Sequence, residues 1–234
     1  MKVAAIGDLH CTHGSRGMIR SLLEGVEDHA DILVLAGDLT NMGLVEEMEV
    51  LLDELSHVSL PIVAVMGNHD HENGNVELLT EMISSTGVAV LDNSSCVISS
   101  IGFVGTKGFC GGFGERRVQA FGESAIKAFI QTSVDETVHL ESAIKKSASQ
   151  PCIAVLHYAP ISQTLEGESL ELYPFLGTSL LAAALDRHPV KFVVHGHAHH
   201  GYPQGFTSKN IPVYNVARFV LTRFQNTAYR IFEV

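Results

Sequence analysis

Asp8-Leu9-His10, Gly37-Asp38, Gly67-Asn68-His69-Asp70, His157 and Gly196-His197-Ala198-His199 are five short motifs that between them carry seven oxygen and nitrogen donors suited to metal ions. A pair of divalent cations about 3.5–4 Å apart needs several protein ligands on each ion and a group that spans both. Carboxylates bring negative charge, and imidazoles suit borderline metals such as Mn, Fe, Co or Zn. An Asn carbonyl adds an oxygen without further charge, and an Asp can span two ions through its two oxygens. His197 and His199 lie two apart and would share a face of a regular strand. A tight turn between Gly196 and Gly201 would instead let them reach different ions. Each motif alone is weak. A His after a buried strand is more often a solvated or hydrogen-bonded residue than a ligand, and Gly-Asn-His-Asp also reads as a turn. Seven suitable donors in one ordered set are much harder to assign to accident.

Elements that could position them are legible around each motif. Every motif follows a short apolar run, at residues 3–6, 32–36, 62–66, 153–156 and 192–194, which reads as a buried strand. Open α/β sheets bind ligands just beyond the carboxyl ends of such strands, so five strand ends facing one crevice would gather all seven donors. Residues 15–29 read as one helix, with Ile19, Leu22, Leu23 and Val26 on one face and Ser15 as N-cap. A second helix begins at Asn41 or Gly43 and runs through Leu55, and a third covers 75–86. Residues 88–91, 95–99 and 103–106 suggest an antiparallel meander. Residues 121–146 read as a long helix broken near 132–135, where β-branched and short polar residues cluster. Strands are expected again at 190–195, 211–215, 219–223 and 227–233. The Gly-rich stretch 108–114 and the irregular segment 159–177 could shape access to the site.

In order and type the five motifs resemble the calcineurin-like metallophosphoesterase family, whose pattern runs D-x-H, G-D, G-N-H-D/E, a lone H, then G-H-x-H; the match spans residues 8–199. The resemblance implies an α/β fold of two mixed β-sheets packed face to face and flanked by helices, a four-layer α/β/β/α sandwich, as one domain over 1–234. It implies two metal ions, with Mn, Fe or Zn best suited to the donors. Asp8, His10, Asp38 and His199 would hold the first ion, and Asp38, Asn68, His157 and His197 the second, with Asp38 bridging. His69 would be the acid near the leaving group, and Asp70 would orient it. The implied reaction is hydrolysis of a phosphoester by a hydroxide held between the metals.

The substrate is less legible. Protein serine/threonine phosphatases of this family carry an Arg in a G-D-x-x-D-R-G run, whereas Gly37-Asp38-Leu39-Thr40-Asn41-Met42-Gly43 has none. A dianionic monoester favours such a bidentate clamp. The run is closer to the family's cyclic-nucleotide phosphodiesterase branch, although Tyr158 stands where that branch often has a second His. A small phosphodiester is therefore the expected substrate, with a phosphomonoester as the alternative. Arg16 and Arg218 are cations outside the motifs that could still reach the site. A catalytically silent scaffold for protein partners is a different reading, but scaffolds of this kind lose ligands, and here the set is intact. A purely structural metal would favour a closed, thiolate-rich site.

Composition agrees without narrowing the function. The 234-residue chain is 46% hydrophobic, enough for a full core, and has no apolar stretch near the ~20 residues that cross a membrane. Residues 2–7 read as the first strand rather than a leader, so the protein is expected to begin at Met1 and act in the cytoplasm. A net charge of −11 disfavours long nucleic acid, and Arg116-Arg117 is too short to make a basic groove. Cys11, Cys96, Cys110 and Cys152 show no C-x-x-C spacing. Cys152 is expected in the core, and Cys11 is expected to pack although it adjoins His10.

Overall fold

Short runs of Val, Ile, Leu and Ala, too apolar to leave one face in water, build two adjacent sheets. The computed structural model describes residues 1–147 and 151–234. In the first sheet, β1 (Lys2–Ile6), β2 (Ile32–Ala36), β3 (Ile62–Val65) and β4 (Ala89–Val90) are parallel. The second contains β5 (Ser94–Ile98), β6 (Ile101–Thr106), β7 (Cys152–Leu156), β8 (Val190–His195), β9 (Gln204–Phe206) and β10 (Pro212–Asn215), in the order β5-β6-β7-β8-β10-β9. Its central strands are parallel, and β5 and β9 are antiparallel edges. The last strand, β11 (Arg230–Glu233), returns to the first sheet and pairs antiparallel with β1, giving the order β11-β1-β2-β3-β4.

The two-residue alternation of strands sorts the side chains into layers. Val3, Ala5, Ile32, Val34, Val63 and Val65 of the first sheet meet Phe103, Ile153, Val155, Phe192 and Val194 of the second. On the opposite face, Ala4, Ile6, Leu33 and Leu35 pack under α1 (Met18–Leu22), α2 (Val26–His29), α3 (Val45–Leu55) and α4 (Val76–Ser85) through Ile19, Val26, Leu51 and Leu79. The outer face of the second sheet carries α5 (Ser124–Lys146) and α7 (Ser179–Leu185), joined through Val104, Ala154, Val193, Leu140, Ile144 and Leu181. The short α6 (Tyr173–Leu176) and α8 (Arg218–Gln225) lie in the connections. Strands buried on both faces read as continuous apolar runs, which is why the expected four-layer α/β/β/α sandwich was visible in the sequence. No helix among the described residues is long and apolar enough to cross a membrane.

Several elements differ from expectation. The single helix over 15–29 is two short ones. Gly17 and Gly25 take left-handed φ values of 77° and 72°, and the buried Glu54 carboxylate accepts from Gly17 N and Arg20 N at 2.8 and 3.0 Å. Ser15 is not an N-cap; its Oγ accepts from Thr12 N at 3.0 Å. The helix after Gly43 begins only at Val45, because Glu47 reaches back to Asn41 N and Met42 N. The break expected near 132–135 is absent: α5 is continuous, with Thr132 and Thr137 hydroxyls donating to carbonyls one turn back. The expected meander is divided between sheets, since β4 pairs parallel with β3 and only β5 and β6 form a hairpin. Residues 219–223 are helical rather than extended. Arg218 N donates to Gly7 O at 3.1 Å, and Val220 N and Leu221 N turn back to Ala217 O.

Candidate metal centre

The carboxyl ends of β1, β2, β3, β7 and β8 bring the five motifs together at one edge of the sandwich. The turns that do so are strained. Asp8, His10, Asp38 and His197 have left-handed φ values of 60°, 46°, 48° and 68°, a conformation costly for residues with a Cβ and typical of functional sites. Cross-bonds between motifs hold them there. Asp8 N donates to Gly37 O and His10 N to Asp38 O, each at 2.9 Å. His69 N donates to Asp38 Oδ1 and His197 N to Asp8 Oδ1, also at 2.9 Å. Gly67 is required because a Cβ there would run into the Asp38 backbone, and Gly37 because one would run into the His157 ring.

Two groups of donors result, Asp8–His10–Asp38–His199 and Asp38–His157–His197, each with its ligand atoms within 4.8 Å of one another. In the first, His199 Nε2 lies 3.0 Å from Asp8 Oδ1 and 3.3 Å from His10 Nε2. In the second, His157 Nε2 lies 3.2 Å from Asp38 Oδ1 and 2.9 Å from Asn68 Oδ1. Asp38 divides its oxygens: Oδ1 faces His157, while Oδ2 faces His10 Nε2 at 3.7 Å.

These contacts gather acceptors and lone pairs that a cation would satisfy. His157 Nδ1 meets the Ala36 carbonyl at 3.0 Å; with its hydrogen donated there, Nε2 faces two oxygen acceptors and calls for a positive charge between them, either a second proton on the ring or a metal ion. Burial would lower His157, but the adjoining Asp38 charge outweighs it and pushes the ring up to about 9. Asp38 is held well below the usual carboxylate range: burial opposes ionisation, and His157 and hydrogen bonds overcome it. Burial lowers His10 to about 4 and His197 to about 3, keeping both rings neutral with free lone pairs. Asp38 Oδ2 and His10 Nδ1 are buried without a hydrogen-bond partner among the described residues. Buried polar atoms are normally satisfied, and a positive ion among these donors would meet that demand at Asp38.

His69 and Asp70 have different partners from those expected. His69 Nδ1 meets the Asn41 carbonyl at 2.6 Å, and its Nε2 stands 4.0 Å from Asp38 Oδ2. The fully buried Asp70 carboxylate does not touch that ring. It accepts from Leu39 N (3.2 Å), Thr40 N (2.8 Å), the Thr40 hydroxyl (2.6 Å) and Gly67 N (2.7 Å). Asp70 therefore fastens the turn that carries Asn41 to the turn that carries Asn68 and His69.

Several supporting groups had no signal in the sequence. His197 Nε2 lies 3.3 Å from the Phe175 carbonyl, which also accepts from Cys110 Sγ at 3.2 Å. The Asn215 amide donates to Ala198 O at 2.8 Å, steadying the turn between His197 and His199. The segments 108–114 and 159–177 are tied together, with Gly111 N donating to Pro174 O and Gly112 N to Gly177 O. Arg16 is outside the centre, paired with Asp53 at 3.0 Å on the surface. Arg218 adjoins the centre, and Arg116 is exposed. Cys11 and Cys152 are buried in the cores.

Fold and donor set together define a metallophosphoesterase, and the chain belongs to the calcineurin-like phosphoesterase family, whose profile matches residues 1–201. No curated protein matches the sequence. Among solved structures it is similar to the phosphopantetheinyl hydrolase PptH from Mycobacterium tuberculosis, at TM-score 0.71 and 17% identity over 99% of this chain and 95% of that one. The protein TT1561 of Thermus thermophilus is similar at TM-score 0.58 and 13% identity, over 94% of this chain and 90% of that one. At these identities the likeness is one of fold.

Proposed function

We propose that the protein hydrolyses a small phosphodiester at a centre of two metal ions, held by Asp8, His10, Asp38, Asn68, His157, His197 and His199. The observation that carries this reading is the Asp38 carboxylate, which turns one oxygen to each of two acceptor-rich groups. When bound, such ions lower the pKa of water toward neutrality and offset charge on phosphoryl oxygens. His69 is the acid: as an imidazolium with Nδ1–H donating to Asn41 O, it would pass its Nε2 proton to the leaving oxygen and remain as the neutral ring. Asp70 positions both His69 and Asn41 through the backbone rather than through the ring. A diester is favoured by the absence of Arg from residues 37–43, and a small one by the net charge of −11, which repels long polyanions. The donors suit Mn, Fe or Zn, and the chain is read as one cytoplasmic domain.

Element analysis with an assay on bis(p-nitrophenyl) phosphate tests the reading. Two metals per chain and steady turnover are expected. His69→Ala should cost about 10²–10⁴-fold on an ester with a poor leaving group and far less on a nitrophenyl ester. A metal-loaded protein inert toward both mono- and diesters would move the function to a scaffold, and equal losses on both leaving groups would remove His69 as the acid.

A further inference from the structure

Arg218 opens α8 directly beside the first donor group. Its backbone N–H donates to Gly7 O at 3.1 Å, so it is pinned to the residue that precedes Asp8. The guanidinium lies over the Phe219 ring at 4.6 Å, and that ring in turn packs 4.5 Å from His199 and 6.2 Å from His10. The side chain is half-buried, and its Nε is buried without a hydrogen-bond partner among the described residues. Other arginines of the chain are satisfied differently: Arg16 pairs with Asp53 and Arg187 with Glu141. Among the described residues no carboxylate forms an ion pair with Arg218, although the Asp8 charge acts on it.

A half-buried guanidinium whose Nε donor is unspent is suited to one class of ligand. It presents a planar fork that matches phosphoryl oxygens, and charge-assisted bonds of this kind are roughly twice as strong as neutral ones. The buried carboxylate whose charge reaches it, Asp8, is engaged elsewhere, accepting from His197 N through both oxygens. The partner must then arrive with the substrate. The run 37–43 lacks an Arg, so this cation comes from a different element, after the last motif.

Resting on the proposed metal-dependent phosphoesterase reading, though not on its preference for a diester, we infer that Arg218 is a substrate-binding residue that pairs with a second negative charge on the substrate, beyond the single charge of a simple diester. That charge belongs either to a terminal dianionic phosphoryl group or to a second phosphoryl group beside the one attacked.

Arg218→Ala and Arg218→Lys, each loaded with Mn, test the assignment through binding as well as turnover. Calorimetric titration with inorganic phosphate and with pyrophosphate should show at least about tenfold weaker binding of one of them to Arg218→Ala, with partial recovery in Arg218→Lys. Loss on phosphate identifies a terminal phosphoryl group; loss confined to pyrophosphate identifies a second, adjoining one. For a terminal group, kcat/KM on p-nitrophenyl phosphate should fall at least about tenfold more than on bis(p-nitrophenyl) phosphate, mainly through KM. Metal content should stay at the wild-type value. Unchanged binding of both anions would overturn the inference, as would equal losses on the two esters together with loss of metal, which would make Arg218 a support of the Asp8 turn. Failure of the phosphoesterase reading looks different, as a metal-loaded wild type inert on both esters, and in that case the anion titrations still decide Arg218.

Discussion

The two donor groups that share Asp38 are built differently. In the group of His157 and His197, each ring is anchored by a backbone carbonyl: Ala36 O on His157 Nδ1 and Phe175 O on His197 Nε2. Such an anchor selects the tautomer and aims the other nitrogen. The His157 side chain is wholly buried, and the Tyr158 ring closes over His197 at 4.4 Å. In the group of His10 and His199, no carbonyl among the described residues anchors either ring: His10 Nδ1 has no partner there, and His199 Nε2 faces Asp8 and His10. The His199 side chain is 32% exposed, and the rings are held by edge packing against one another and by Phe219. One half is thus preorganised by main chain, and the other rests on side-chain packing closer to solvent. The more open half should exchange its ion first and should be the side from which substrate enters.

The largest effect should come from erasing the difference. Asp38→Asn keeps the shape but removes the charge shared by both halves. It should leave fewer than two metals bound and lower kcat by orders of magnitude, as read by element analysis and steady-state kinetics. Normal loading of both sites would show that Asp38 does not bridge.

A smaller, one-sided effect is expected from Gly177→Ala. The added Cβ would run into the Ala159 carbonyl and force apart the pairing of 159 with 177, which holds the Phe175 segment in place. With the Phe175 carbonyl displaced, the ion at His157 and His197 should bind about 10–100-fold more weakly, the usual cost of losing such an anchor. The other ion should be retained. Metal titration with separate resolution of the two sites checks this, and equal weakening of both would break the comparison.

Phe219→Ala should be the mildest. The ring is 39% exposed, so stability should change by no more than about 0.5–1 kcal/mol. Chelator should nevertheless strip the ion at His10 and His199 faster than in wild type, at an unchanged rate for the other. A thermal melt and a stopped-flow chelation trace give the two readouts.

The sequence alone determined the donors and most of the scaffold. Runs such as 3–6, 32–36 and 153–156 are apolar throughout because their strands are buried on both faces, and that leaves little choice but a sandwiched sheet. The motifs at their ends were legible because metal-binding residue types are few and must occur together. Residues 219–223 show where that legibility stops: a short apolar run suits strand or helix equally, and the bonds of α8 to Gly7 O and Ala217 O chose helix. The break in α1 and α2 likewise depended on Glu54, more than thirty residues away in the chain, capturing Gly17 and Arg20 amides.

Tertiary structure also decided how the donors are aimed. Asp70 was expected against the His69 ring, yet the ring is met by the Asn41 carbonyl, while Asp70 ties the two turns together. The anchors at Ala36, Asn41 and Phe175 are all main-chain carbonyls. Every residue has one, so no residue type can announce which will be used. Only the packing of two sheets, which brings strand ends distant in sequence to within hydrogen-bond reach, selects them.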